Sequence, residues 1–336
     1  MEETTSHTAP PYISVVIPSY NEEGSLRELV RRLLPVLKGY GHCEVIFVND
    51  GSTDGTLPLL EELQREHPDV IGLISLRRNC GKALALQAGF GKARGQYVVM
   101  MDSDLQDQPE ELPKLMALLE NDTYDAVTGW KKTRHDPVLA KNIPSKFFNG
   151  MLRRASGIKV HDFNCGLKAF RRECLEHVVL YGQLHRFILV LVANLGFRVG
   201  EVAIEHAARR FGVSKFGAKR FYHGFMDIMS VYFLTRCGGS PLHFFGIYGS
   251  IAIILSFPIA LLYFSAHIYG FMYDKPHLLL QDHPAWLLSP ILFLIGLMML
   301  FFGLIAEMLV QQQTPSQHYK PFVAKNIDVR QPDSSQ

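Results

Sequence analysis

The sequence predicts an α/β domain with a mostly parallel sheet, followed by a C-terminal hairpin of two membrane-spanning helices. Over roughly the first hundred residues, short apolar runs alternate with segments whose apolar residues recur at helical spacing. Polar, turn-forming strings follow several of these apolar runs. Near the C-terminus, the apolar runs 244–269 and 285–310 are each longer than the roughly 20 residues that a helix needs to cross a bilayer.

The elements of the first domain follow from apolar patterning and from the residues that end each run. Pro18 closes the first apolar run, and the string 21–25 then opens a helix. The turn-rich string 49–55 closes the second strand and also caps a helix. In chain order we predict strand 13–17, helix 26–37, strand 44–48, strand 71–76, helix 82–93 and strand 96–101.

The two C-terminal apolar runs carry no polar face, which a long core helix of a soluble domain would show. The segment 206–236 before them is basic, and residues 1–12 contain no cleavable signal. The positive-inside rule therefore predicts that the large domain and both termini lie in the cytoplasm and that 273–284 lies outside. The two helices would span the plasma (inner) membrane. Five cysteines without a C-x-x-C pair favour reduced thiols over a disulfide framework.

These observations predict five segments. They are a disordered tail 1–11, a cytosolic domain 12–217, a juxtamembrane amphipathic segment 218–240, the hairpin 241–312 and a polar cytosolic tail 313–336. Within the third segment, 221–233 has either an interfacial or an inward-packed apolar face. A net charge of +2 gives no reason to expect a nucleic-acid partner.

The acidic string after strand 96–101 is the strongest chemical signal. Asp102 and Asp104, with the amide oxygen of Gln106, are hard oxygen donors at a strand exit, where open α/β sheets bind ligands. This donor set suits Mg²⁺ or Mn²⁺ shared with a diphosphate, although a polar loop is the simpler interpretation of the string alone. Neither a G-x-G-x-x-G nor a Walker-type glycine loop is present, so any nucleotide is held by other means.

Three strings together resemble the inverting glycosyltransferases of family 2, which use the GT-A fold. They are 18–22 (PSYNE), 48–54 (VNDGSTD) and 102–106 (DSDLQ). The string 209–215 (RRFGVSK), followed by two membrane helices, is similar to the polyisoprenyl-phosphate branch of that family, which contains dolichol-phosphate mannose synthases and GtrB-type glucosyltransferases.

The resemblance implies roles for individual residues. Asp102, Asp104 and Gln106 form the metal and diphosphate site, and Arg209 and Lys215 join the two aspartates in catalysis by handling phosphate. The implied nucleotide-sugar-binding residues are Pro18, Tyr20, Glu22, Val48, Asp50, Asp102, Ser103, Asp104, Arg186, Arg209 and Lys215.

The lipid-phosphate site departs from the family pattern. Lys131 and Lys146 stand where the family commonly has arginines, and Arg134 is close enough to substitute for Lys131. Lysine supplies charge but not the bidentate fork of arginine. Arg186 lies in a string, 183–187, that nearly matches the Q-x-x-R-W signature of processive synthases, and Cys165 is interpreted as a packing residue rather than a nucleophile.

The implied reaction is transfer of a hexose from a nucleotide-sugar to undecaprenyl or dolichyl phosphate, with inversion and without an obligatory base, because the acceptor is already an anion. UDP-glucose is the favoured donor and GDP-mannose the alternative. Two other hypotheses are a non-catalytic nucleotide-sugar-binding subunit and transfer to a hydroxyl acceptor. Glycines 246, 249, 296 and 303 would serve helix contacts in the membrane, and a homo-oligomer, such as a tetramer, is expected.

Overall fold

The computed structural model describes residues 10–131, 150, 153, 157–205, 241–273, 284–312 and 323–327. The chain forms two compact units. The first combines Met1–Val231 with Pro315–Gln336, and the second is Tyr232–Thr314. The tails 1–9 and 328–336 and the predicted juxtamembrane segment 218–240 lie outside the described residues.

The first unit is built around one eight-stranded sheet in the order β7-β5-β6-β4-β1-β2-β3-β8. The strands are β1 Ile13–Ser19, β2 Cys43–Asn49, β3 Ile71–Leu76, β4 Tyr97–Met100, β5 Ala126–Lys131, β6 Lys168–Arg171, β7 Val199–Ile204 and β8 Val323–Ile327. The helices of this unit are α1 Glu23–Lys38, α2 Thr56–Glu66, α3 Lys82–Phe90, α4 Leu112–Glu120, α5 Glu173–Glu176 and α6 Ile188–Asn194.

The predicted α/β class is confirmed, and the sheet is mixed. Neighbouring strands run parallel in the pairs β1–β2, β1–β4, β2–β3 and β5–β7. The pairs β4–β6, β5–β6 and β3–β8 are antiparallel. All residues of β2 and β3 are buried, as expected for strands covered on both faces, which explains why their sequences are mostly apolar.

The bounds predicted for the strands and helices agree with those in the structure to within a few residues. Helix α3 is shorter than predicted because Gly91 follows its last residue and the N–H groups of Lys92 and Ala93 bond back to the carbonyl of Gly89. Helix α1 is amphipathic and places Leu26, Leu29, Val30, Leu33 and Leu37 in the core. That core lies between α1, α2 and α4 and one face of the sheet.

The order of the strands creates the crevice in which the site lies. The chain passes outward from β1 through β2 to β3 and then returns to place β4 on the other side of β1. β1 and β4 are therefore neighbours, and the loops that follow them leave their carboxyl ends in opposite directions. This topological switch point is where open α/β sheets bind ligands.

The second unit is a hairpin of two long apolar helices, α7 Pro241–Met272 and α8 Leu288–Gln312, joined in part by the short 3₁₀ helix Pro284–Leu287. Both helices are long and apolar enough to cross a membrane, with mean hydropathy 2.1 and 2.5. Most of their large side chains are exposed, unlike those of a soluble core helix.

The two membrane-type helices pack closely at glycines. A Cβ on Gly249 would lie 2.8 Å from the carbonyl oxygen of Gly296, and a Cβ on Gly296 would lie 2.6 Å from that of Gly249. A Cβ on Gly303 would lie 3.0 Å from the Cβ of Phe245, whereas a Cβ on Gly246 would meet open space. Three of the four glycines singled out in the sequence thus lie at contacts within the hairpin.

Candidate active site

Three polar loops converge at the switch point. They follow β1, β2 and β4, and they contain the three strings that carry the family resemblance. The hydroxyl of Ser103 donates to the carbonyl of Pro18 at 3.2 Å, which joins the loop after β4 to the end of β1. The N–H of Asp50 donates to the carbonyl of Ser19 at 2.9 Å, which joins β2 to β1.

The loops after β1 and β2 are further joined by side-chain hydrogen bonds. Asn21 has a positive φ of 56° and accepts from the N–H of Thr53 at 2.9 Å. Its own N–H donates to the hydroxyl of Ser52 at 3.0 Å. The N–H of Glu22 donates to the hydroxyl of Thr56 at 2.9 Å. These bonds hold the two predicted nucleotide-binding strings as one surface.

Asp50 anchors a fourth loop, the one after β3. Its buried carboxylate accepts the N–H groups of Cys80 at 2.7 Å and Gly81 at 2.9 Å. Burial raises the pKa of Asp50, and the two N–H donors partly oppose this shift. Gly51 is required beside it because its φ is +65° and a Cβ would lie 2.3 Å from the backbone of Arg78.

The other predicted nucleotide-binding side chains differ in exposure. Pro18, Tyr20 and Glu22 are partly exposed at the end of β1. Val48 is fully buried, and its side chain lies close to Gly89 of α3. The structure therefore shows a packing contact for Val48, and its predicted nucleotide contact stays a prediction.

The acidic loop after β4 turns sharply at Leu105, which has a φ of 60°. This turn lets an oxygen of Asp104 accept the N–H of Gln106 at 3.2 Å. Ser103 and Asp104 are buried, whereas Asp102 and Gln106 are partly exposed. The three predicted metal ligands thus lie on one tight loop, with the Asp102 carboxylate at its solvent-accessible side.

Asp102 faces a lysine that the sequence predictions do not include. Lys82, the first residue of α3, forms an ion pair with an oxygen of Asp102, and both side chains are about 30% exposed. Burial raises the pKa of Asp102, but the hydrogen bond from Lys82 and the positive charges of Lys82, Lys131 and Lys168 together outweigh burial and lower it. The carboxylate of Asp102 is therefore ionised, and it already faces the positive charge of Lys82.

A second acidic group closes the inner wall of the site. Asp107 is buried and pairs with Lys131 at 2.7 Å. A Cβ on Gly166 would lie 2.3 Å from an oxygen of Asp107 and 2.6 Å from the carboxylate carbon of Asp102. Only glycine fits at this position, so the segment around 162–166 packs directly against the acidic loop.

Buried basic groups surround this wall. Lys168 is fully buried and donates to the carbonyl of Cys165. His185 lies close to Lys82, Arg186 and Asp102, and burial with the two neighbouring cations lowers its pKa to about 2, so it is neutral. Burial raises the pKa of Cys165 to about 12, which agrees with a packing role for this thiol. Arg186 is partly exposed beside His185.

The donor set fits a divalent cation. Asp102 and Asp104 supply two carboxylates, and Asp102 already faces a positive charge. Among the described residues, no group of three or more His, Cys, Asp or Glu side chains forms a complete metal cage. An ion held by the two aspartates and Gln106 would thus complete its shell with water or diphosphate oxygens, as Mg²⁺ and Mn²⁺ commonly do.

Four predicted site residues, Arg134, Lys146, Arg209 and Lys215, lie outside the described residues. The sequence predictions overlook Lys82, Asp107, Gly166, Lys168 and His185, all of which lie beside Asp102. The position of Lys82 after the third strand follows the same strand-exit logic that identifies Asp102, so this residue is detectable from sequence. Asp107 belongs to the acidic loop itself, whereas Gly166, Lys168 and His185 are brought to the site by β6 and the segments that flank it.

Comparison with known proteins agrees with this geometry. The model of the family "Glycosyl transferase family 2" matches residues 14–179. A dodecaprenyl-phosphate galacturonate synthase from Rhizobium johnstonii is 35% identical over 323 residues, covering 95% of this chain and 92% of the relative. An undecaprenyl-phosphate 4-deoxy-4-formamido-L-arabinose transferase from Shewanella sediminis is 35% identical over 71% of this chain and 70% of the relative.

Solved structures share the fold. A glucosyl-3-phosphoglycerate synthase from Mycobacterium tuberculosis, in complex with Mn²⁺ and UDP-glucose, superposes with a TM-score of 0.52 at 22% identity and covers 68% of this chain and 79% of that one. Because the Rhizobium relative matches almost the full length of both chains, this protein is a glycosyltransferase of family 2, in the branch that contains these two relatives.

Proposed function

We propose that the protein transfers a sugar from a nucleoside-diphosphate sugar to a polyprenyl phosphate at the cytosolic face of a membrane, with inversion at the anomeric carbon. The observation that carries the proposal is the position of Asp102 and Asp104 at the switch point beside β1. The comparisons support the proposal, because both relatives carry a polyprenyl phosphate in their names.

The nucleotide-sugar donor would lie across the loops that follow β1, β2 and β4. The strings after β1 and β2 offer Tyr20, Glu22 and the buried Asp50 to the base and ribose. Asp102, Asp104 and Gln106 would hold Mg²⁺ or Mn²⁺ next to the diphosphate. When bound, that ion supplies positive charge that stabilises the leaving nucleoside diphosphate. Arg186, with Arg209 and Lys215 outside the described residues, adds further positive charge.

The acceptor phosphate needs no base. It is an anion at neutral pH, so one of its oxygens can attack the anomeric carbon while the bond from that carbon to the diphosphate oxygen breaks. No proton has to move. The chain's task is to hold the two anions in line, and Lys131, Arg134 and Lys146 are the proposed contacts to the acceptor phosphate. Lys131 would share its charge between Asp107 and that phosphate.

The apolar hairpin fits a lipid acceptor. A polyprenyl phosphate places its phosphate at the membrane surface and its chain in the hydrocarbon. Two spans keep a cytosolic domain at that surface, with both termini on the same side. We further propose that the enzyme is a homo-oligomer, as expected from its sequence.

The donor sugar is proposed as UDP-activated. UDP-glucose follows from the sequence resemblance, and the name of the Rhizobium relative adds galacturonate as a second candidate. GDP-mannose is the alternative nucleotide-sugar. All three would use the same loops and differ in sugar, and GDP-mannose also differs in base, so one assay separates them.

The test measures transfer of radiolabel into lipid. Purified protein in detergent with Mn²⁺ and undecaprenyl phosphate is offered labelled UDP-glucose, UDP-galacturonic acid or GDP-mannose, and label in the organic phase is counted. Asp104→Ala is compared with Asp69→Ala, an exposed aspartate just before β3. We expect ion-dependent label from one donor, retained in Asp69→Ala and lowered at least about 100-fold in Asp104→Ala.

Two results would contradict the proposal. Equal lipid labelling by Asp104→Ala and the unchanged protein would remove the acidic loop from catalysis. Tight nucleotide binding without lipid label from any donor would favour the non-catalytic nucleotide-sugar-binding subunit.

A further inference from the structure

Lys82 lies between two parts of the site that the proposed function assigns to different parts of the donor. The same short loop donates two N–H groups to Asp50 and then begins α3 with Lys82. Asp50 is on the nucleoside side, and Asp102 is on the metal side. A diphosphate that joins a nucleoside to a sugar has to pass between these two positions, next to the Lys82 ammonium group.

The contact that Lys82 makes is with a proposed metal ligand. Its Nζ pairs with an oxygen of Asp102, so a lysine charge occupies a carboxylate that a divalent ion would need. Two cations cannot share one carboxylate oxygen at close range without repulsion. An ion that binds the oxygen held by Lys82 therefore displaces the lysine, whose partly exposed side chain has the freedom to move.

We propose that Lys82 is an exchangeable counter-ion, which holds Asp102 while the site lacks a divalent ion and turns to the donor diphosphate when the ion takes Asp102. This inference rests on the metal site of the proposed function. It makes Lys82 a competitor of the ion in the nucleotide-free protein and a ligand of the nucleotide in the ion-bound protein. Lys82 would thus couple the binding of the ion to the binding of the nucleotide.

Replacing Lys82 should have opposite effects on the affinities for Mn²⁺ and for the nucleotide. This pattern distinguishes the counter-ion role from a structural one. Loss of a partly exposed ion pair typically changes free energy by an amount equivalent to about two- to fivefold in affinity. We therefore expect Lys82→Gln to bind Mn²⁺ about two- to fivefold more tightly without nucleotide. Loss of a charged hydrogen bond to a diphosphate should weaken UDP binding at saturating Mn²⁺ by about tenfold or more.

The experiment measures Mn²⁺ binding by electron paramagnetic resonance and UDP or GDP binding by calorimetry, both with the full-length protein in detergent. Lys82→Arg keeps the charge and should stay close to the unchanged protein in both measurements. Lys114→Gln is the matched control, because Lys114 also pairs with a carboxylate, Glu111 at 2.6 Å, but lies on α4.

The possible outcomes separate the two proposals. If the unchanged protein binds Mn²⁺ but Lys82→Gln binds it equally or more weakly, the counter-ion role is wrong and the proposed function stands. A Lys82→Gln protein that keeps normal UDP affinity also overturns the exchange. If the unchanged protein shows no saturable Mn²⁺ binding either with or without UDP or GDP, the metal site of the proposed function fails, and this inference fails with it.

Discussion

Val48 and Asp50 show how residues two positions apart acquire different roles from their surroundings. The family resemblance predicts a nucleotide contact for both. The side chain of Val48 is buried beside α3, whereas the carboxylate of Asp50 accepts two backbone N–H groups and positions the loop that carries Lys82. The contact role of each stays a prediction, and for Asp50 a role in organising the loop is visible in addition.

A second carboxylate holds the far half of the sheet. Asp125, just before β5, accepts from the backbone N–H of Arg198 at 2.8 Å and from its guanidinium at 2.8 and 3.0 Å. These hydrogen bonds lower the pKa of Asp125 below its ordinary value of 3.8. Because Arg198 lies just before β7, this ion pair joins the amino ends of the two neighbouring strands.

The ion pair gives a pH-dependent prediction. A folded-state pKa below the unfolded value stabilises the domain at neutral pH, and this stabilisation disappears as the pH falls through the folded-state pKa. We expect Asp125→Asn to lower the unfolding free energy by about 1–2 kcal/mol at pH 7, since Arg198 is half exposed. Thermal unfolding at pH 7 and near pH 3 measures the difference, which should shrink at the lower pH.

Asp122→Asn is the control for this prediction. Asp122 also pairs with Arg198, and with Arg171, but its side chain is 72% exposed. Its replacement should change the melting temperature much less. Equal effects of the two substitutions, or a difference that grows toward acid pH, would contradict the assigned role of Asp125.

Among the elements, the two helices of the hairpin depend most on small residues. Gly249 of α7 and Gly296 of α8 face each other's backbone, so no side chain fits between them. The hydroxyl of Ser289 also donates to the carbonyl of Ser256 at 2.8 Å, and the carboxylate of Glu307 accepts the N–H of Leu242 at 3.2 Å. Close packing and these polar contacts hold the hairpin together in an apolar medium.

Gly249→Leu should therefore destabilise the hairpin. Overpacking typically costs about 1–3 kcal/mol, and here the added side chain meets backbone rather than a movable side chain. The measurement is the temperature at which the detergent-solubilised protein loses its monodisperse peak. Gly246→Leu, one turn earlier and facing open space, should have little effect. If Gly246→Leu were the more damaging change, the outer helix face would be a contact between copies of the chain.

For the molecule as a whole, the prediction concerns orientation in the membrane. The basic segment before α7 predicts that residues 273–284 lie outside and that the tail after α8 lies in the cytoplasm. In intact cells, a membrane-impermeant maleimide should label His277→Cys but not Ser316→Cys or the parent protein. Permeabilised cells should show labelling of Ser316→Cys as well. Labelling of Ser316→Cys alone in intact cells would reverse the orientation and remove the domain from the cytosolic donor pool.

How far the site is predictable depends on whether its residues follow strands in sequence. Asp102, Asp104 and Gln106 follow β4, and Asp50 follows β2, so their positions at strand exits are sufficient to predict that they lie at one edge of the sheet. The ion pair between Lys131 and Asp107 has no comparable signal in the sequence. Antiparallel pairing of β6 with β4 and β5 brings Lys168 to the site from more than sixty positions away in the chain.

The α/β class, the apolar hairpin, the acidic loop and the family strings can all be predicted from the sequence, because they depend on local periodicity and on short motifs. Three contacts are visible only in the folded chain: Lys82 pairs with Asp102, Gly166 packs against the acidic loop, and Gly249 faces Gly296. Each of these contacts joins segments distant in sequence, and each depends on strand order or helix packing. Local patterning does not encode such distances, since they are set by how the whole chain packs.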